Sequence, residues 1–137
     1  MKVMNMQDLR YLNLFEKVTQ INTRFCFSYN NLIIFCVPKN QVSRAIGKNG
    51  KNTKRMNEIL KKRVKVIPKP EGIFEIKKFV GEIVSPVTFK NLEIKENGII
   101  LTAGIQNKAA LIGRNKRRLF ELQKILKDYF EKDLRIV

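Results

Sequence analysis

The chain has 137 residues, 44 % of them hydrophobic, which suits one ordinary domain or two small ones and excludes a disordered polyelectrolyte. Its 28 Lys and Arg outweigh 12 Asp and Glu to give a net charge of +16 with no histidine, a balance that points to a polyanionic partner, nucleic acid first and an anionic membrane surface second. No segment approaches the roughly 20 apolar residues of a membrane span, and the opening MKVMNMQDLR has no signal-peptide core, so a cytoplasmic protein with no membrane association is expected.

The first element is a helix over about Met6–Thr19. Leu9, Leu12, Phe15 and Val18 or Thr19 recur at helical spacing, and Asn5 is a suitable N-cap with Asp8 near the positive end. Strands are predicted near Thr23–Tyr29 and Leu32–Val37, with Asn30-Asn31 as the turn, since Asn tolerates a left-handed backbone. Alternation places Phe25 and Phe27 on one face, read as core against the helices. Tyr29, near the hairpin tip, is the candidate for stacking on a base. The two cysteines, Cys26 and Cys36, fall in this hairpin. They are too few for a disulfide framework or a zinc site and are expected as free thiols.

Pro38 ends the second strand. A short helix over about Asn40–Ile46, a glycine loop, a helix over Asn52–Lys62 and a strand at Val64–Ile67 complete the first half. The segment Pro68–Gly72, with two prolines around one residue, reads as a short stiff linker. Beyond it, Ile73, Ile76, Phe79 or Val80, and Ile83 mark a helix. Strands follow near Val87–Glu96 and Gly98–Ala103 with Asn97-Gly98 as the turn. A short helix near Asn107–Ile112 precedes Gly113, and a long helix carries Leu119, Leu122, Ile125, Leu126 and Tyr129 on one face.

The two halves are copies of one plan. Shifted by 66 positions, Asn31 falls on Asn97, Ala45-Ile46-Gly47 on Leu111-Ile112-Gly113, and Met56, Ile59 and Leu60 on Leu122, Ile125 and Leu126. The closing segments VKVI and LRIV align after four extra residues, about one helical turn. Each half reads αββααβ. Strand sets this small need helices on one side, and a strand reached through a two-helix crossover joins its sheet parallel to a neighbour. The expectation is an α+β protein of two units, residues 1–69 and 70–137, each with a three-stranded mixed sheet covered by helices.

Function concentrates at Gly47-Lys48-Asn49-Gly50. A G-x-x-G loop between helices turns sharply, removes side chains that would keep a phosphate from the main chain, and leads into a helix N-terminus that favours anions. Lys39–Lys69 holds 11 basic residues and one acid, Glu58. Residues 1–70 carry 15 basic and 3 acidic side chains, against 13 and 9 in residues 71–137, so the basic excess centres on the first loop.

IGKNGKN in this setting resembles the signature loop of KH domains, and the αββααβ order resembles the type II KH arrangement. Two such domains in tandem, opened by LRYLNLFEKVTQ, resemble the short archaeal NusA-like transcription factors. The resemblance implies binding of single-stranded RNA, about four nucleotides per domain. By position it implies that Gly47, Lys48, Asn49 and Gly50 clamp the backbone, that Ile46 forms part of an apolar groove floor, and that Lys51, Lys54 and Arg55 neutralise phosphates. It also implies a role in transcription elongation, termination or antitermination, with the transcription machinery as a partner reached directly or through a bridge. A ribosome-associated or RNA-processing KH protein is the alternative.

The second loop, Gly113-Arg114-Asn115-Lys116, has Lys where the second glycine is expected, followed by Arg117 and Arg118. Gly113, Arg114, Asn115, Lys116 and Arg117 are therefore a secondary RNA-binding set, either a weaker site of phosphate contacts or a unit that extends and orients the first. With no histidine, scattered acids and no P-loop, neither catalysis nor a metal or other cofactor is expected.

Overall fold

The structure, a computed structural model, describes residues 5–137; residues 1–4, inside the first predicted domain, lie outside the described residues. The described chain gathers into two compact units that divide between Lys69 and Pro70.

The first unit opens with helix α1 (Met6–Thr19), started by Asn5, whose Oδ1 accepts from the Asp8 N–H at 2.8 Å. Gln20 ends it in a left-handed conformation, its N–H on the Glu16 carbonyl at 2.8 Å. Strands β1 (Phe25–Tyr29) and β2 (Leu32–Val37) pair antiparallel across Asn30-Asn31. Both turn residues have positive φ, 52° and 62°, as a two-residue type I′ turn demands. β1 begins two residues later than predicted. Thr23 Oγ1 accepts from Phe25 N–H at 3.3 Å and donates to the Cys36 carbonyl, so a side chain does there what a strand's backbone would do.

A 3-10 turn at Lys39–Gln41 precedes helix α2 (Val42–Ile46), and helix α3 (Lys51–Leu60) follows the glycine loop. Strand β3 (Arg63–Pro68) runs parallel to β2, as the two-helix crossover requires. α3 stops short of Lys62 because Lys61 turns left-handed, φ 58°, and its N–H closes on the Asn57 carbonyl at 2.9 Å. Asn57 Oδ1 in turn accepts from Val64 N–H at 2.7 Å, which holds the helix end against the strand.

The core of this unit joins the helices to one face of the sheet. Phe15 of α1 stacks on Phe35 of β2 with ring centroids 4.4 Å apart, and Tyr11, Leu12, Ile33, Val37, Ala45 and Met56 surround the pair. In the sheet register Cys26 is opposite Phe35 and Phe27 opposite Ile34. The helix-facing residue of β1 is therefore Cys26, and the expectation that Phe25 and Phe27 face the helices is out of phase by one residue. FCFSY has bulky residues at alternate positions and a cysteine between them, and the cysteine is the residue the partner strand draws inward. Cys26 and Cys36 consequently lie on opposite faces, both buried and neither in a disulfide.

The second unit repeats the order. A 3-10 turn at Ile73–Glu75 leads into helix α4 (Ile76–Val84), then β4 (Asn91–Lys95), β5 (Gly98–Thr102), helix α5 (Lys108–Ile112), helix α6 (Arg117–Phe130) and β6 (Leu134–Ile136). β4 and β5 are antiparallel, β5 and β6 parallel. Both units are thus αββααβ with a three-stranded mixed sheet, the expected α+β class. α6 has 14 residues against 10 in α3, which accounts for the four extra residues in the alignment.

Two details differ from the sequence reading. β4 starts at Asn91 rather than Val87, because Val87 N–H closes a turn on the Val84 carbonyl at 3.0 Å around Ser85-Pro86. The hairpin turns at Glu96-Asn97, with Gly98 already paired to Lys95. Gly98 is required for a close approach instead: a Cβ there would lie 2.6 Å from the Asp133 carbonyl oxygen, which accepts from Ile99 N–H at 2.7 Å.

The Phe15–Phe35 stack predicts a stability test. Phe15→Ala empties a fully buried site and lowers the unfolding free energy of the first unit by about 3–5 kcal/mol in urea denaturation. Leu9→Ala, on the same helix but 43 % exposed, changes it by less than ~1 kcal/mol.

Candidate nucleic-acid interface

In the first loop α2 ends at Gly47, whose N–H bonds the Ser43 carbonyl at 3.0 Å. Gly47 has φ 83° and ψ 165°, a region that side chains exclude and glycine alone enters freely. A tight turn follows over Lys48–Gly50, closed by Gly50 N–H on the Gly47 carbonyl at 3.0 Å. Asn49 (φ 57°) and Gly50 (φ 72°) are both left-handed, and α3 begins at Lys51.

A side chain that the sequence reading did not single out holds this turn. Asn52, on the first turn of α3, donates through Nδ2 to the Ala45 carbonyl at 3.1 Å, with a longer contact of 3.4 Å to the Arg44 carbonyl. It closes the end of α2 onto the start of α3. A Cβ on Gly47 would meet Asn52 Cγ at 3.0 Å and its backbone N at 3.1 Å, so the glycine and this tie are one device.

The second loop has the same backbone. Gly113 has φ 78° and ψ 169°, Asn115 φ 56°, and Lys116 φ 60° and ψ 23°, beside Gly50's φ 72° and ψ 21°. Lys116 therefore takes up the glycine geometry rather than demanding a different one. The difference between the loops is a side chain, not a path. The tie also recurs at the equivalent position: Arg118 Nη1 donates to the Ala110 carbonyl at 3.0 Å. Arg118 is accordingly half-buried and structural, while Arg114, Asn115, Lys116 and Arg117 are exposed. The signal for both ties was the 66-residue register, which pairs Asn52 with Arg118 as the two hydrogen-bond donors two residues into each helix.

The structure brings the first-loop candidates together. Lys48, Asn49, Lys51, Lys54 and Arg55 are exposed, and Gly47 and Gly50 partly so. Lys51, Lys54 and Arg55 share one face of α3 with Glu58. Ile46 is half-buried and packs on the first unit's core. The start of α3 has no side-chain cap and no acid in its first turn, whereas α1 has both Asn5 and Asp8. A helix start without a side-chain cap, beside glycine backbone and surrounded by exposed cations, favours an anion. Tyr29, the stacking candidate, is only 3 % exposed and presents no face to a base. Phe25 is half-buried, with Lys69 Nζ 4.6 Å above its ring. Among the described residues no group of three His, Cys, Asp or Glu side chains could hold a metal ion, and no helix is long and apolar enough to cross a membrane.

Fold and loops together define a pair of KH-like units in tandem. No family model matches the chain. A solved structure, described as the crystal structure of APE1850, superposes with a TM-score of 0.68 over 98 % of this chain and 100 % of that one at 22 % identity, a likeness of fold. Three curated relatives are each named probable transcription termination protein NusA. The one from Methanococcus vannielii is 30 % identical over 95 residues, 69 % of this chain and 53 % of its own length. Those from Methanocaldococcus jannaschii and Halococcus morrhuae are each 27 % identical, over 88 % and 91 % of this chain and 67 % and 90 % of their own lengths. The chain is thus similar over most of its length to these archaeal proteins named NusA, and it spans about half the length of the Methanococcus vannielii relative.

The two glycines of the first loop differ in what they tolerate. Gly50→Ala makes only ordinary van der Waals contact, the nearest atom being Thr53 Oγ1 at 3.5 Å, and costs only the left-handed backbone, about 1 kcal/mol. Gly47→Ala is expected to cost clearly more in urea unfolding, because its backbone region excludes side chains and the new Cβ must also displace Asn52. Equal costs would contradict both constraints.

Proposed function

We propose that the chain is a single-stranded RNA-binding factor of transcription, acting in the cytoplasm in elongation, termination or antitermination, and working by binding rather than catalysis. The observation that carries this reading is the uncapped start of α3 behind a loop left bare at Gly47 and Gly50, with Lys48, Lys51, Lys54 and Arg55 exposed around it. The names of the curated relatives support the transcription setting over a ribosomal one.

The mechanism follows from that arrangement. The glycines let the sugar–phosphate backbone approach the main chain of residues 47–50. The dipole and amides of α3 favour the phosphate, and the four cations neutralise its neighbours. Ile46, anchored in the core, offers its partly exposed side chain as an apolar wall beside the bound strand. At the second loop Arg114, Lys116 and Arg117 supply phosphate contacts, but the Cβ of Lys116 holds the strand farther from the main chain. The first loop is then the principal clamp.

The test is the affinity for a labelled single-stranded RNA, read by fluorescence anisotropy. Gly50→Asp and Lys48→Glu/Lys51→Glu are each expected to weaken binding by about 10-fold or more, with circular dichroism unchanged. A folded variant that binds as tightly as the wild type overturns the loop assignment. Affinity is also expected to fall with salt at a log–log slope of about −0.7 per phosphate neutralised. A flat response would contradict phosphate-dominated binding.

A further inference from the structure

The aromatic residue best placed to meet a base is in the second unit. Phe120 of α6 is 57 % exposed, four residues beyond Lys116. It stands outside the helix's apolar stripe, whose Leu122, Ile125 and Leu126 are buried. In the register of the repeat Phe120 occupies the place of Lys54, whose Cε lies 3.8 Å from the point where a Cβ on Gly50 would sit. The copy that carries a lysine at the fourth loop position thus carries a phenyl ring where the other has its loop-proximal lysine.

The ring's surroundings state its chemistry. Phe120, Lys124 and Lys127 follow one another at helical spacing and fall on one exposed face of α6, with the exposed Lys116 and Arg117 at the start of the helix. Lys127 also reaches Asp133, Nζ to Oδ1 at 3.2 Å. A lone exposed ring inside a stripe of cations complements a ligand that offers negative charge and flat apolar faces in alternation. Single-stranded nucleic acid is such a ligand: its phosphates meet the lysines while an unstacked base lies on the ring. An acidic protein segment would match the charges, but it offers a flat face only where it carries an aromatic side chain, whereas every nucleotide carries one.

We infer that Phe120 is a base-stacking platform, and that the second unit holds one unstacked base on Phe120 where the first grips the backbone at its glycines. This rests on the RNA-binding reading above. It assigns the second unit its own mode of contact, sensitive to the base rather than to the phosphate alone.

The chain has no tryptophan, so Phe120→Trp introduces a single indole reporter on an exposed helical site. Phe120→Trp is expected to bind single-stranded RNA as tightly as the wild type, with its emission quenched at saturation. Phe120→Ala, which favours the helix and should fold, is expected to lose about 10-fold in affinity for that RNA. On the same oligonucleotide with its bases removed, wild type and Phe120→Ala are expected to bind alike. Unquenched indole emission at saturation, unchanged affinity of Phe120→Ala for intact RNA, or an equal loss on the abasic strand each overturns the stacking role. Unchanged affinity is also the outcome if the ring seats a protein. A wild type that binds no RNA overturns the proposed function itself, and is told apart from these outcomes by the unmutated protein alone.

Discussion

Both loops depend on a backbone reversal at Gly47 and Gly113 that only glycine makes without strain. At φ near 80° and ψ near 165° the chain leaves a short helix and turns at once toward the next. The residue two places into that next helix, Asn52 or Arg118, reaches back to the carbonyls the short helix leaves open. It occupies the space a Cβ on the glycine would need, with contacts of 3.0 Å in the first copy and 2.8 Å in the second. Reversal and tie hold each other, and every exposed group of the loop is placed by them.

That constraint separates what the two copies share from what they do not. The first glycine stands in both because its conformation admits nothing else. The second is free to change, since a left-handed position where a Cβ meets no close clash accepts Lys116 at the cost of about 1 kcal/mol. Chemistry can therefore diverge on an unchanged path. The first copy keeps bare backbone and surrounds it with cations; the second adds charge at the turn and a ring one helical turn later. One scaffold presents two different surfaces.

Much of this was legible in the sequence. Asn5 and the spacing of Leu12 and Phe15 set the first helix to its observed ends, and the four-residue offset before LRIV is the extra turn of α6. These are local signals, or signals repeated in two copies. What escaped depends on partners distant in the chain. The inward face of β1 is decided by Phe35 across the sheet, not by FCFSY itself. Tyr29 sits at a hairpin tip by position but is buried once the strands pair. Gly98 reads as a turn residue until Asp133 is seen against it. Asn52 and Arg118 share no chemistry a motif would match, only a hydrogen-bond donor and a register. Phe120 stands between Leu119 and Leu122 in the sequence, where an exposed ring reads no differently from a buried one.

The central claim is that the backbone of the first loop meets the ligand directly. An amide NMR titration of the intact chain with a single-stranded RNA oligonucleotide tests it without altering a residue. The account predicts that the amide signals of Gly47, Lys48, Asn49, Gly50 and Lys51 move most and saturate together with binding. Saturable binding that leaves those five signals in place would contradict it.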